Sequence, residues 1–231
     1  MTNRKLEYWV IPPEADAEFV AHMEEALETY AQPYDPARPV LCMDEQPVQL
    51  IKETRTPIAG TAKHPRRVDY EYERAGTASI FMFTEPLSGW REATARESKT
   101  KVDWALEIAR LLEGRYRKCE KVILVCDNLN THTKGAFYET FRPARARALV
   151  RRIEFCHTPK HGSWLNIAEN ELSSLTRQCL RGRRLGDLTT LRQQIAAWSS
   201  DVNDTQRGVD WQMKIKDARY KLKSVYPKIK L

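Results

Sequence analysis

Lys121-Val122-Ile123-Leu124-Val125-Cys126-Asp127 is the stretch on which this sequence turns. A short unbroken apolar run rich in β-branched residues reads as a buried strand, and here it ends on a carboxylate. Upstream, Val40-Leu41-Cys42-Met43-Asp44 repeats the arrangement. A charged side chain directly behind such a run must reach a sheet edge or bear a desolvation cost. An aspartate after a strand is also a common turn former, so either one alone says little. Two in matching contexts point to chemistry, because sheets flanked by helices carry their sites at the carboxyl ends of strands.

Outward from Asp127, helical segments are expected over about 135–141 and 143–151. A strand follows at Ile153–His157, then a loop marked by Pro159 and Gly162, then a helix beginning near Asn166. On the other side, Lys99–Leu112 carries Val102, Ala105, Leu106, Ala109 and Leu112 on one stripe, with Gly114 as a stop signal. Val68–Arg74 and Ala78–Thr84 read as a hairpin about Ala75-Gly76-Thr77, and Trp90–Ala95 as one more strand. Prolines at 12–13 and 33–36 enclose an amphipathic helix of about Ala15–Tyr30, with Phe19, Met23, Ala26 and Tyr30 on one face. Residues 1–37 are therefore read as a lead-in, and 38–231 as one domain. Further helices are expected at Leu188–Ser200 and about Trp211–Ser224. Strands and helices in this order make an α/β or mixed α+β sheet domain.

Composition fits a soluble globular protein, with 42% hydrophobic and 9% aromatic residues in 231. No apolar run approaches the roughly 20 residues of a membrane span, and MTNRKLEYWV lacks the apolar core of a signal peptide, so a cytoplasmic location without membrane contact is expected. The five cysteines are odd in number and widely spaced, and read as reduced core thiols. Cys156, His157 and His161 lack the second cysteine pair of a zinc site. Charge is unevenly placed: residues 1–140 hold 19 Lys+Arg against 23 Asp+Glu, and residues 141–231 hold 19 against 8. Clusters at Arg142/Arg145/Arg147/Arg151/Arg152, at Arg177/Arg181/Arg183/Arg184 and at Lys214 to Lys230 could line a phosphate backbone; any one alone reads better as a solvated helix face, and the three together favour nucleic acid.

Phosphodiester cleavage needs an activated water or 3′-hydroxyl and stabilisation of the leaving oxygen, which two divalent ions about 3.5 to 4 Å apart supply. Mg²⁺ retains several waters, so a few carboxylates from different elements suffice. Asp44 and Asp127 are the first two candidates. The third is Glu169 or Glu171, which flank the apolar stripe Ala168, Leu172, Leu175 and Cys179 on opposite sides. Asn166-Ile167-Ala168-Glu169 also matches a capping box, which would give Glu169 a purely local job. Helix geometry leaves the choice open.

Val40-Leu41-Cys42-Met43-Asp44-Glu45-Gln46, Val122-Ile123-Leu124-Val125-Cys126-Asp127-Asn128-Leu129-Asn130-Thr131-His132 and His157-Thr158-Pro159-Lys160-His161-Gly162-Ser163-Trp164-Leu165-Asn166-Ile167-Ala168-Glu169 together resemble bacterial insertion-sequence transposases of the Tc/mariner group, in the DDE integrase superfamily. The resemblance extends from about Pro12 to the C-terminus. It implies a ribonuclease-H-like fold, a mixed sheet flanked by helices, with Asp44, Asp127 and Glu169 as catalytic metal ligands for two Mg²⁺ or Mn²⁺ ions. It implies hydrolysis at a transposon end, followed by attack of the freed 3′-hydroxyl on target DNA. Double-stranded DNA is then the partner, a homodimer the working form and the nucleoid the place. Asn128, Asn130, His132, His161, Ser163, Trp164 and Asn166 would support the ligands or face DNA.

Two departures accompany the resemblance. The interval from Asp127 to Glu169 is 42 positions, longer than in mariner relatives, so an extra loop or helical turn is expected between Gly135 and Arg152. Nothing upstream of Asp44 is long enough for the helix-turn-helix modules that recognise transposon ends, which suggests a truncated chain or one that works with a separate N-terminal helix-turn-helix polypeptide. The rival readings are a structure-selective nuclease on the same fold and a non-catalytic DNA-binding or regulatory remnant of a transposase.

Overall fold

The computed structural model describes residues 11–205 and 207–228. The first ten residues of the lead-in, and Lys230 of the last basic cluster, lie outside them. The chain runs α1 (Ala17–Ala31), β1 (Val40–Glu53), β2 (Tyr72–Glu85), β3 (Trp90–Arg96), α2 (Lys101–Glu113), β4 (Val122–Asp127), α3 (Lys134–Thr140), α4 (Pro143–Val150), β5 (Ile153–Thr158), α5 (Ile167–Leu175), α6 (Leu188–Asp204) and α7 (Ile215–Lys221). One mixed sheet has the order β3-β2-β1-β4-β5. β1–β2 and β2–β3 pair antiparallel, β1–β4 and β4–β5 parallel. The two short helices α3 and α4 occupy the long interval between Asp127 and Glu169.

Each sheet face buries its own core, which follows from the period of two along a strand. Val40 and Cys42 of β1 and Ile123 and Val125 of β4 join α1, α5 and α6 on one face. Leu41, Met43, Leu124 and Cys126 join α2, α3 and α4 on the other. The predicted face of α1, Phe19, Met23, Ala26 and Tyr30, is buried in the first of these cores. In α2 the expected Ala105, Ala109 and Leu112 are buried, but Val102 is exposed and the buried face widens to Trp104, Ile108 and Leu111. Two neighbouring stripes exist at helical spacing, and the face centres toward the one carrying the large indole because that removes more apolar surface from water.

The expected hairpin about Gly76 is not formed. Residues 72–85 are one strand, paired along its length with a β1 that continues to Glu53. Gln49 pairs with Thr77 and Ile51 with Arg74, so Ala75 and Gly76 together oppose Leu50. Gly76, at φ +94°, serves a β-bulge and not a turn. Asp44 accordingly sits within β1 and not at its end.

The exposed edge of β3 is covered by side chains of α6. Asn203 Oδ1 accepts from Arg91 N (2.8 Å) and Asn203 Nδ2 donates to Arg91 O (2.7 Å). Ser199 Oγ accepts from Ala93 N (3.0 Å), and Arg192 Nε donates to Ala95 O (2.8 Å). A helix thus saturates backbone groups that would otherwise recruit a further strand.

Candidate active site

Parallel pairing of β1 and β4 begins at Val40↔Ile123 and ends at Cys42↔Val125. Two residues beyond that last pair lie Asp44 on β1 and Asp127 on β4. Alternation returns both to the face that holds Cys42 and Val125, so the two carboxylates emerge side by side in sequence register. Asp44 therefore does stand at a carboxyl end, that of the parallel pairing, even though β1 runs on beside β2.

Glu169 arrives from a third element. After β5 the chain turns through Pro159–Gly162, with Gly162 N–H donating to Pro159 O (2.8 Å) and His161 at φ +64°. A positive φ at that position is what a type II turn requires, and histidine is an uncommon occupant of it. Tyr30 of α1 donates its hydroxyl to Leu165 O (2.7 Å), tying the segment before α5 to the lead-in helix. Asn166 is buried and has two tasks: its Oδ1 accepts from Ala168 N (3.2 Å), starting α5, and its Nδ2 donates to Met43 O (2.9 Å), next to Asp44. One residue thereby couples the helix of Glu169 to the strand of Asp44. The side chain of Glu169 bonds Ser163, while the cap's backbone carbonyl takes Glu169 N–H, so the reciprocal carboxylate bond of a capping box is replaced.

Glu171, the competing candidate, is directed elsewhere. It meets Arg91 in a bidentate pair (2.7 and 3.0 Å), with the guanidinium 3% and the carboxylate 11% exposed. Arg91 also donates to the carbonyls of Gly89 and Arg207, so the pair is fully engaged. Asp44 and Glu169 instead line one depression, and Asp127 and Glu169 line the adjoining one. Glu169 belongs to both.

Burial is the main reason that the Asp44 carboxyl is held up at about 7, and the charges of Glu169, Asp127 and Glu45 push the same way against a bond from Glu45 N–H (2.8 Å). Glu169 is also raised, by burial first and by Asp127, with Ser163 opposing. Among the described residues no lysine or arginine pairs with either.

Two residues of this region escaped sequence reasoning in whole or part. His132 is buried and not DNA-facing: its Nε2 lies 2.7 Å from Glu45 Oε1, and its Nδ1 lies 2.7 Å from Asp127 Oδ1 and 3.2 Å from Asp127 O. Burial alone would lower its pKa, yet bonds to Asp127, Cys126 and Glu45 raise it to about 12. Glu45 was not a candidate at all, because a glutamate beside a candidate aspartate carries no local signal and its partner lies 87 positions away. Asn128 and Asn130 are exposed, and Trp164 is partly buried.

A family model described as DDE superfamily endonuclease matches residues 39–192, two thirds of the chain. The chain belongs to the DDE superfamily endonucleases. Solved structures share its fold at low identity. The Mos1 mariner paired end complex with Mn is 15% identical, with a TM-score of 0.52 over 87% of this chain and 60% of that one. The Mos1 strand transfer complex is 14% identical, with a TM-score of 0.54 over 89% of this chain and 61% of that one. The chain thus spans about 60% of the length of these proteins, and its sheet and flanking helices are ribonuclease-H-like. No curated protein sequence matches.

Carboxylates crowded in this way in a DDE endonuclease fit divalent cations. Asp127 Oδ1 is buried and lies 2.7 Å from His132 Nδ1, and among the described residues Asp44 and Glu169 lack a lysine or arginine counter-charge. Among the described residues no trio of His, Cys, Asp or Glu stands ready to hold one ion. Mg²⁺ and Mn²⁺ do not require a trio, because water and phosphate oxygens complete their spheres around one or two carboxylates. No helix among the described residues is long and apolar enough to cross a membrane.

The basic clusters divide by position. Arg145 pairs with Glu113, Arg152 is spent on the carbonyls of Leu112, Tyr116 and Cys119, Arg184 pairs with Glu53, and Arg219 with Glu24. Arg177 is different: it is exposed, has only a 3.4 Å contact with Ser174 Oγ, and lines the depression of Asp44 and Glu169. It stands where α5 passes into a π turn, in which Arg181 N–H reaches back five residues to Thr176 O (2.7 Å). Such turns recur at functional sites.

Proposed function

We propose that this DDE endonuclease is the catalytic domain of a Tc/mariner-type transposase, with Asp44, Asp127 and Glu169 as its metal-ligating catalytic carboxylates. The observation that carries the reading is that three carboxylates, from two adjacent strands and one helix, line two adjoining depressions that share Glu169, with no lysine or arginine partner for Asp44 or Glu169 among the described residues. Two Mg²⁺ or Mn²⁺ ions held there would activate the attacking water or 3′-hydroxyl and take up charge on the leaving oxygen. The chain's own residues set the stage. Asn166 keeps the strand of Asp44 and the helix of Glu169 in fixed relation, and Ser163 orients the Glu169 side chain. Arg177 offers a cation beside the same cleft, where a phosphate of the bound strand would lie.

The substrates in this reading are double-stranded transposon ends and target DNA, joined by hydrolysis and transesterification in turn. Residues 38–231 make up the catalytic domain and 1–37 lead into it. A homodimer at two DNA ends, a separate helix-turn-helix polypeptide for end recognition, and association with the nucleoid belong to the same proposal. No observation favours the alternative of a non-catalytic remnant, whose carboxylates would have no reason to gather at adjoining depressions.

The test is calorimetric titration of Mn²⁺ at low salt with a short duplex present, comparing wild type with Asp127→Asn, followed by a strand-transfer assay with a 3′-hydroxyl end. Binding lost in the variant and a joined product in wild type are expected. Absence of binding to wild type at millimolar Mn²⁺ would sink the proposal, and cleavage without joining would make the chain a nuclease only.

A further inference from the structure

Glu45 presents a physical puzzle. Its side chain is 2% exposed, and it lies on the sheet face that holds Leu41, Met43 and Trp104, where a leucine would pack at lower cost. Its partner there is His132, 0% exposed, whose ring stacks on the buried indole of Trp104 at 5.4 Å and 29°. The second ring nitrogen of His132 lies 2.7 Å from Asp127 Oδ1 and 3.2 Å from Asp127 O. The Asp127 side chain is 41% exposed although Oδ1 is buried, and it lines the depression that Glu169 shares. This chain of contacts spans β1 and β4 just where their ladder has stopped, at Cys42↔Val125. Beyond that point no backbone bond holds Asp127 against β1.

We propose that Glu45 and His132 are positioning residues, a clamp in which Glu45 orients the imidazole and the imidazole holds one oxygen of Asp127, so that the other is presented to a divalent ion. The inference rests on the reading of Asp127 as a metal ligand. Neither clamp residue faces the cleft with its side chain: Glu45 is the neighbour of Asp44 but points through the sheet to the opposite side. Partners behind a ligand that fix its orientation typically contribute about 10- to 100-fold in metal affinity.

Glu45→Leu and Glu45→Gln separate position from packing. Leucine suits the apolar surroundings and keeps the fold, whereas glutamine can still accept a bond from His132 Nε2 through its amide oxygen. Mn²⁺ affinity of the full chain, read by calorimetry, is expected to fall about 10- to 100-fold in Glu45→Leu and to return to within about threefold of wild type in Glu45→Gln. A cooperative thermal transition in both variants certifies that folded protein is compared; if Glu45→Leu lacks one, His132→Gln takes its place, with the same fall expected. An unchanged Mn²⁺ affinity in the folded leucine variant, or in His132→Gln where that replaces it, would reduce the cluster to packing and overturn the clamp. Glutamine as damaging as leucine would make Glu45 act through its own charge, and would overturn it equally. Wild type that binds no Mn²⁺ sinks the ligand reading of Asp127 and the clamp together, whereas binding that is lost in Asp127→Asn yet indifferent to Glu45 sinks the clamp alone.

Discussion

Glu169 and Glu171 sit two residues apart on one helix and lead different lives. Glu171 points to β3 and is locked by a buried bidentate arginine, so its charge is neutralised before any ligand arrives. Glu169 lies by the carboxyl end of the parallel β1–β4 pairing, has a serine hydroxyl for company, and is raised by burial and by Asp127. One carboxylate is neutralised by a buried arginine; the other has no lysine or arginine partner among the described residues. Residue type does not tell the two apart, but the sign of what surrounds each does.

The comparison can be broken most decisively by exchanging the outcomes of the two substitutions. Glu169→Gln should lower Mn²⁺-dependent strand cleavage on the order of a thousandfold or more, since metal catalysis contributes several kcal/mol and each ~1.4 kcal/mol is tenfold. Its urea midpoint should stay at or above that of wild type, because a raised carboxyl is one that folding disfavours in its charged form. Glu171→Ala should do the reverse. Leaving Arg91 buried without its partner costs about 3 to 5 kcal/mol in urea unfolding, while the Mn²⁺ affinity of the folded fraction is retained. A Glu171 variant that unfolds normally yet loses metal would reassign the two residues.

Asp44 sharpens the contrast through pH. Its pKa is raised from the ordinary 3.8 to about 7 in the folded chain, so its contribution to stability is fully present below about 4 and is lost as pH rises through about 7. Metal-free protein should accordingly lose stability across that window, and Asp44→Asn should flatten the loss. Mn²⁺ must displace the same proton, so affinity should rise up to tenfold per pH unit below about 7 and level off above it. An affinity independent of pH between 5 and 7 would remove Asp44 from the metal's sphere.

The smallest expected effect concerns the arginines. Arg177→Ala should reduce the slope of log affinity for duplex DNA against log salt by about one, uniformly across sequences. Arg184, held by Glu53 Oε2 at 2.6 Å and by the carbonyl of Asp69 at 2.8 Å, should alter stability and leave that slope alone. Equal effects from both would mean that internal pairing does not sort the basic residues.

Much of the sheet could be read directly from the chain, because Val122–Asp127 is a short apolar run and Ile153–Thr158 a short segment with apolar residues at 153, 155 and 156, each bounded by breaks. The bulge could not. Glycine marks a turn and a bulge equally well, and only the partner strand, with Leu50 facing two residues, decides between them. The stripe of α2 was read in part, with Ala105, Ala109 and Leu112 buried as expected, but its centre lies toward Trp104, Ile108 and Leu111 because the sheet beneath decides which apolar flank is covered.

What the sequence determined by itself is local. Strand periodicity, stop signals and a carboxylate directly behind each of two apolar runs are properties of contiguous residues, and the motifs around Asp127 and Trp164 carry the family with them. The tertiary structure alone decided which charges meet. Arg91 chose Glu171 from 80 positions away, and Glu45 found His132 across 87. Electrostatic neighbours are set by where strands and helices stack, and a carboxylate's task depends on those neighbours more than on its own place in the chain.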